Sequence, residues 1–209
     1  MSDIKIGRIV LGMYQTNCYF LHREDSSEIV VFDPGDSGKY LYDQFTDKGF
    51  TVSGIVLTHG HFDHVYGVAD LRKLSGARVY AYKDEEKLLL DPDINVSVSV
   101  GRPVTVEADV LLRDGEDFSL AGITFKTIHT PGHTGGSACY YIEDSGILIA
   151  GDTLFNLSVG RSDFPTGNGR VLEESVTEKL FVLPNDTKVY PGHGDFTTIG
   201  FEKENNPFF

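Results

Sequence analysis

The sequence predicts an α+β fold with large sheets covered by helices, and three features of its 209 residues point that way. Short apolar, β-branched segments recur, each bounded by Gly, Pro, Asp or Asn, as strands are. Helical periodicities are fewer and lie far apart, near residues 40, 70 and 175, so a regular βαβ alternation does not fit. The hydrophobic share of 40% is enough for a buried core in a chain of this length.

Taken in order, the strand segments are IKIGRIVL, NCYFLH, EIVVFD, GIVLT, ARVYAY, ITFKTIH, SACYYI, GILIA and KVY. Tyr40 to Lys48 reads as a helix, with Gly49 placed to end it. Val65, Val68, Leu71 and Leu74 repeat every three residues, and Leu172, Val176, Leu180 and Leu183 at four, four and three, so both stretches read as helices with one apolar face. Asp84 to Asp117, with its DPDIN and GRP turns, reads as a mostly irregular excursion. No repeat, low-complexity tract or Ser/Gly linker divides the chain, and one domain over 1–209 is expected.

The formal net charge is -13, from 31 acidic and 18 basic residues, and no basic patch offsets it. Such a surface repels nucleic acid and anionic membranes, so neither is an expected partner. No apolar run has membrane-spanning length, and the N-terminal MSDIKIGRIVLG has no secretory pattern. Cys18 and Cys139 are too few for a disulfide framework, and free thiols in the cytoplasm fit better. The oligomeric state is left open.

The chemistry concentrates at strand ends. THGHFDH at 58–64 places three of the seven histidines within six residues. Crowded imidazoles repel when protonated, so a metal ion is the expected reason for the cluster. His59 and His61 lie in the loop leaving GIVLT, while Asp63 and His64 head the following helix, so one cluster presents two half-sites. Three more strands end in glycine-flanked loops that deliver His133 (TPGHTGG), Asp152 (GDT) and His193 (PGHG). Glycine lets backbone approach an ion closely. Imidazole and carboxylate without thiolate suit zinc first, with iron or manganese as alternatives. Seven candidate ligands exceed what one tetrahedral ion needs, which implies two divalent metal ions per chain sharing a carboxylate. His22 and His129 are not expected to be ligands. No G-x-S-x-G, P-loop or dinucleotide fingerprint is present.

THGHFDH, TPGHTGGS at 130–137, GDTLF at 151–155 and PGHG at 191–194, together with LGMYQTNCY and VVFDPG, resemble the successive motifs of the metallo-β-lactamase superfamily over almost the whole chain. Within it the sequence is most similar to the short bacterial branch of the glyoxalase II-like, or hydroxyacylglutathione hydrolase, proteins. The resemblance implies a four-layer αββα sandwich. It implies that His59, His61 and His133 hold one metal, that Asp63, His64 and His193 hold the second, and that Asp152 bridges. An aspartate at 152 argues against antibiotic hydrolysis, because di-zinc enzymes acting on β-lactams typically carry cysteine there. Arg161 in SVGRSDF matches a basic residue that contacts glutathione. The family's additional C-terminal helical domain is not expected here, and Asp195 stands where the family has a tyrosine.

The function implied is hydrolysis of a small-molecule thioester such as S-D-lactoylglutathione by a metal-bridging hydroxide, with Asp63 binding metal and orienting that hydroxide and Arg161 attracting a substrate carboxylate. The alternatives are a mononuclear-iron persulfide dioxygenase, which shares the ligand motifs, and a lactone or phosphodiester hydrolase of the same fold.

Overall fold

The computed structural model describes residues 3–209. The first sheet runs β1 (Ile4–Leu11), β2 (Thr16–Arg23), β3 (Glu28–Phe32), β4 (Thr51–Val56), β5 (Arg78–Tyr82) and β6 (Val110–Leu112) in that spatial order. β1 to β3 pair antiparallel, and β3 to β6 pair parallel. The chain then forms β7 (Asp117–Leu120), β8 (Ile123–His129), β9 (Ala138–Ile142), β10 (Ile147–Gly151), a small ribbon of β11 (Leu154–Phe155) and β12 (Ser158–Val159), β13 (Lys188–Pro191) and β14 (Thr197–Thr198). The second sheet has the order β14-β13-β10-β9-β8-β7, with only β10 and β13 parallel.

Helices cover both outer faces: α1 (Gly38–Asp47), α2 (Phe62–Val65), α3 (Val68–Ser75), α4 (Glu86–Leu89), α5 (Gly169–Glu174), which continues as a π-helical stretch to Leu180, and α6 (Ile199–Asn205). The result is the expected αββα sandwich. Its layering follows from side-chain alternation. In β3, Ile29 and Val31 pack with Leu41, Phe45 and Leu71 of α1 and α3, while Val30 and Phe32 face the opposite sheet. In β9, Ala138, Tyr140 and Ile142 meet Phe32 between the sheets, while Cys139 and Tyr141 pack with Val176, Leu180 and Ile199. A strand buried on both faces reads as a continuous apolar run, which is why EIVVF and ACYYI lack visible alternation.

All nine sequence-derived strand segments fall on strands. β6, β7, β11, β12 and β14, of two to four residues, escaped sequence reading, whereas the equally short β13 was marked by its KVY run before Pro191 and Gly192. The first helix ends as expected: Gly49 has φ +80°, its N–H bonds the Thr46 carbonyl, and the Phe50 N–H bonds that of Phe45. The second helical stretch is broken at Gly67, whose N–H donates to the Pro34 carbonyl, so the ideal Val65–Leu74 stripe becomes two helices. Leu74, the last residue of that stripe, is 41% exposed and outside the core. Asp84 to Asp117 is irregular as expected, apart from α4 and β6. Cys18 and Cys139 are buried free thiols. No helix among the described residues is long and apolar enough to cross a membrane.

Phe32 is fully buried between Phe125 and Tyr140, with ring centroids 5.6 and 5.8 Å away. Phe32→Ala is expected to lower the unfolding free energy by about 3–5 kcal/mol, read from denaturant unfolding. A loss below about 1 kcal/mol would show that the two sheets do not depend on this contact.

Candidate metal centre

The ligand-bearing loops all leave the same edge of the sandwich. Thr58 to His61 follow β4, Thr130 to Ser137 link β8 and β9, Asp152 follows β10, and His193 follows β13. At the end of β10 the register with β13 shifts and Gly151 takes φ +50°, which turns the chain so that Asp152 leaves the sheet inward. Gly192 is required beside it: a Cβ there would lie 2.2 Å from Asp152 Oδ1.

These loops bring all seven expected residues together. His61 Nδ1 lies 2.9 Å from His133 Nε2, which lies 3.2 Å from His59 Nε2. Asp63 Oδ2 lies 3.4 Å from His193 Nε2, and His193 Nε2 lies 3.4 Å from His64 Nε2. Asp152 sits between these two trios, with Oδ1 3.4 Å from His64 and Oδ2 3.5 Å from both His133 and His193. Arg161 lies at the surface beside the cluster. Its guanidinium pairs with Asp163 at 2.7 Å through both Nε and Nη2 and lies 3.8 Å over the Phe164 ring. His22 and His129 stay outside, His129 stacked on Tyr82 at 4.2 Å.

The surrounding residues decide which ring nitrogens face inward. Asp33 accepts hydrogen bonds from the Thr58 N–H and hydroxyl and from His64 Nδ1, and the Thr58 hydroxyl in turn faces His59 Nδ1 at 3.1 Å. His133 Nδ1 donates to the Arg161 carbonyl at 2.6 Å and His193 Nδ1 to the Tyr14 carbonyl at 3.1 Å. With the Nδ1 atoms occupied, the Nε2 atoms of His59, His64, His133 and His193 converge. Nitrogens carrying lone pairs and facing one another at about 3 Å repel unless a cation lies among them. Asp152 Oδ1 is buried there without a hydrogen-bond partner. The donor set therefore fits divalent metal ions.

Electrostatics divide the cluster. Burial, reinforced by neighbouring rings, holds His59 well below the usual imidazole pKa, and burial with the His133 ring brings His61 down to about 3. Burial also lowers His133. These three rings are neutral, the form that binds metal. Burial opposes ionisation of Asp152, yet the rings of His64, His133 and His193 outweigh it and keep the carboxylate charged. His64 and His193 are likewise disfavoured by burial, and the Asp63 and Asp152 carboxylates more than offset this.

Three supporting residues carried no assigned role in the sequence. Asp33 and Asn17 lie inside quoted motifs, VVFDPG and LGMYQTNCY. The Asn17 side-chain amide donates to the carbonyls of Pro191 and Gly194, each at 2.9 Å, and so staples the His193 loop. Glu85 stands in the acidic run KDEEK, which looks like solvated surface. It is 1% exposed and accepts from the Gly60 and Gly136 N–H groups and the Thr134 hydroxyl, tying together the two loops that carry His59, His61 and His133.

The chain belongs to the metallo-beta-lactamase superfamily, whose sequence model matches residues 11–193. It is a metallo-hydrolase of that class, with a His/Asp cluster able to hold divalent metal. Among similar proteins, hydroxyacylglutathione hydrolase GloC of Haemophilus influenzae is 32% identical over 96% of this chain and 95% of its own length. The crystal structure of BLEG-1 B3 metallo-beta-lactamase is 40% identical with a TM-score of 0.93, covering 98% of this chain and 99% of that one. The structure of TTHA1623 in a di-iron-bound form is 33% identical with a TM-score of 0.86, covering 97% and 100%.

Two consequences are measurable. Asp33→Asn removes an acceptor shared by Thr58 and His64, and metal affinity is expected to fall about 10–100-fold in competition with a chelator; unchanged affinity would remove Asp33 from the account. Burial pushes the Glu85 carboxyl from 4.5 up to about 7. A folded-state pKa above the unfolded value means the folded state holds the extra proton, so this group costs stability progressively as pH rises from about 4.5 to about 7, by up to about 3 kcal/mol. Glu85→Gln lacks that slope. Unfolding of both proteins at pH 5 and pH 7.5 should show the wild type losing more than the variant, and parallel losses would contradict it.

Proposed function

We propose that the chain is a dinuclear metal hydrolase that cleaves a thioester such as S-D-lactoylglutathione. One observation carries this reading: two His/Asp trios adjoin one another with the ionised Asp152 between them. His59, His61 and His133 would hold one ion, Asp63, His64 and His193 the other, and Asp152 would touch both. The similarity to a protein named hydroxyacylglutathione hydrolase supports the substrate class, and that to a di-iron structure supports the pair of ions. Zinc is the proposed metal, with iron or manganese as the alternatives.

Bound divalent ions supply Lewis acidity and bring the pKa of a coordinated water down to about 7. The protein does the rest by position. Asp33, Thr58, Tyr14 and Arg161 lock the rings through side-chain or carbonyl acceptors, so no reorganisation is needed as charge develops. Asp63 is part-exposed, unlike the four most buried histidines, and its carboxylate orients the attacking water from the open side. The departing thiolate has a parent pKa of about 8.5, so no strong general acid is required. Arg161 would meet the anionic end of the substrate by exchanging Asp163 for a substrate carboxylate.

The test is metal content per chain in protein purified without added metal or chelator, with hydrolysis of S-D-lactoylglutathione, a lactone, a phosphodiester and a β-lactam measured on the same sample. About two ions per chain and preferred thioester turnover are expected. One iron per chain with oxygen uptake in the presence of glutathione persulfide would overturn the reading in favour of a dioxygenase. Faster turnover of another ester class would overturn the substrate assignment alone.

A further inference from the structure

A cleft of about 330 Å³ has Asp63 in its wall and so adjoins the His/Asp cluster. That volume falls within the roughly 300–1,000 Å³ of small-molecule sites. Its other walls come from four separate parts of the chain: the turn between β1 and β2, the loop between β3 and α1 at Gly35 and Asp36, the α2 segment with Tyr66, and the irregular stretch that follows α4. They are mainly apolar. Tyr14 and Phe62 meet edge to face at 4.9 Å, Phe62 and Tyr66 are tilted at 5.5 Å, and Val100 lines the same cleft. Met13 is 94% exposed at the rim, Tyr14 51% and Val100 40%. Apolar side chains held open to water beside a reaction centre gain free energy when a ligand covers them.

Arg102, the only cation among the described residues lining the cleft, is already engaged. The Arg102 guanidinium lies 4.0 Å over the Tyr66 ring, and its Nη1 donates to Asp36 at 3.3 Å. The Tyr66 hydroxyl donates back to the Arg102 carbonyl at 2.8 Å. Together with Asp36 and Asp63, this arginine leaves no excess positive charge, so the cleft suits an uncharged arm rather than an anion. The flank of the cluster at His61 and His133 is of another kind, with Phe164 against His61 and the Arg161–Asp163 ion pair at the surface. A substrate spanning the centre has one polar and one apolar flank to use.

We propose that the cleft beside Asp63 binds the acyl arm of the substrate, and that the preferred substrates are thioesters of alkyl or aryl-alkyl acids, with the polar thiol arm towards Arg161. This rests on the thioesterase reading and narrows it. Val100 and the Arg102–Tyr66 pair, both dependent on the irregular stretch, then set acyl-chain preference.

The experiment is a series of acetyl, butyryl, hexanoyl and phenylacetyl thioesters of glutathione with the metal-loaded full chain, in the wild type and in Val100→Trp and Val100→Asp. In the wild type, kcat/KM is expected to rise about two- to fourfold per methylene along the alkyl series. Each variant should reduce the hexanoyl-to-acetyl ratio at least fivefold, and because the ratio is taken within one protein, losses of folded or metal-loaded enzyme cancel. Equal kcat/KM across the series in the wild type, or an unchanged ratio in both variants, would overturn the proposal while leaving the thioesterase reading in place. Calorimetric titration with S-hexylglutathione and S-methylglutathione, which cannot be hydrolysed, separates the two ideas. At least tenfold tighter binding of the hexyl compound, lost in Val100→Asp, supports the cleft even where no thioester turns over. Equal affinities overturn it.

Discussion

A single buried carboxylate holds the centre together. Asp33, 2% exposed at the end of β3, reaches across to the neighbouring strand end and accepts from the Thr58 backbone, the Thr58 hydroxyl and His64 Nδ1. Through these bonds it fixes two rings that belong to different trios. A buried charge is tolerable only when its lone pairs are satisfied, and here the groups that satisfy it are the ones that must be oriented. Asp33 itself takes φ +47°, a left-handed conformation that aspartate adopts more readily than most residues. Pairing of β3 with β4 brings donor and acceptor within reach.

The same economy recurs around the cluster. Loops that carry ligands are tied to one another by groups with no ligand role: Asn17 to the His193 loop, Glu85 between the His59–His61 and His133 loops, and the Arg161 carbonyl to His133. Each tie crosses a long stretch of sequence, so the centre is a property of the assembled sandwich and not of any one segment. Because the ties end on backbone as often as on side chains, ring orientation is set by chain path as much as by residue identity.

That distinction explains what the sequence could disclose. Nine strands, the helix ended by Gly49 and the seven clustered His and Asp residues were legible, because each rests on a local pattern: apolar runs between turn residues, or His and Asp beside glycine at a strand end. Glu85 was not, because KDEEK has the composition of a solvated surface and its burial depends on a contact with residues 134–136. Arg161 was legible as a cation, yet its carbonyl orients His133, and a carbonyl leaves no signature in residue type. The unread strands, of two to four residues, gave too short a period to read, and the break at Gly67 follows from its bond to Pro34, a partner more than thirty positions earlier.

The two-faced burial of the central strands makes register a ruler for the centre. In β9 and in β10 up to Ala150, every residue belongs to one core or the other, alternately. Deleting one residue from β10 would exchange Ile149 and Leu148 between the inter-sheet core and the helix-facing core, and would draw Asp152 back by one residue rise, about 3.3 Å. That step is close to the 3.4–3.5 Å separating Asp152 from His64, His133 and His193. A one-residue insertion or deletion in the strands that feed the centre would therefore displace Asp152, whereas one in the stretch between α4 and β6 would reshape the cleft wall and leave the His/Asp cluster in place.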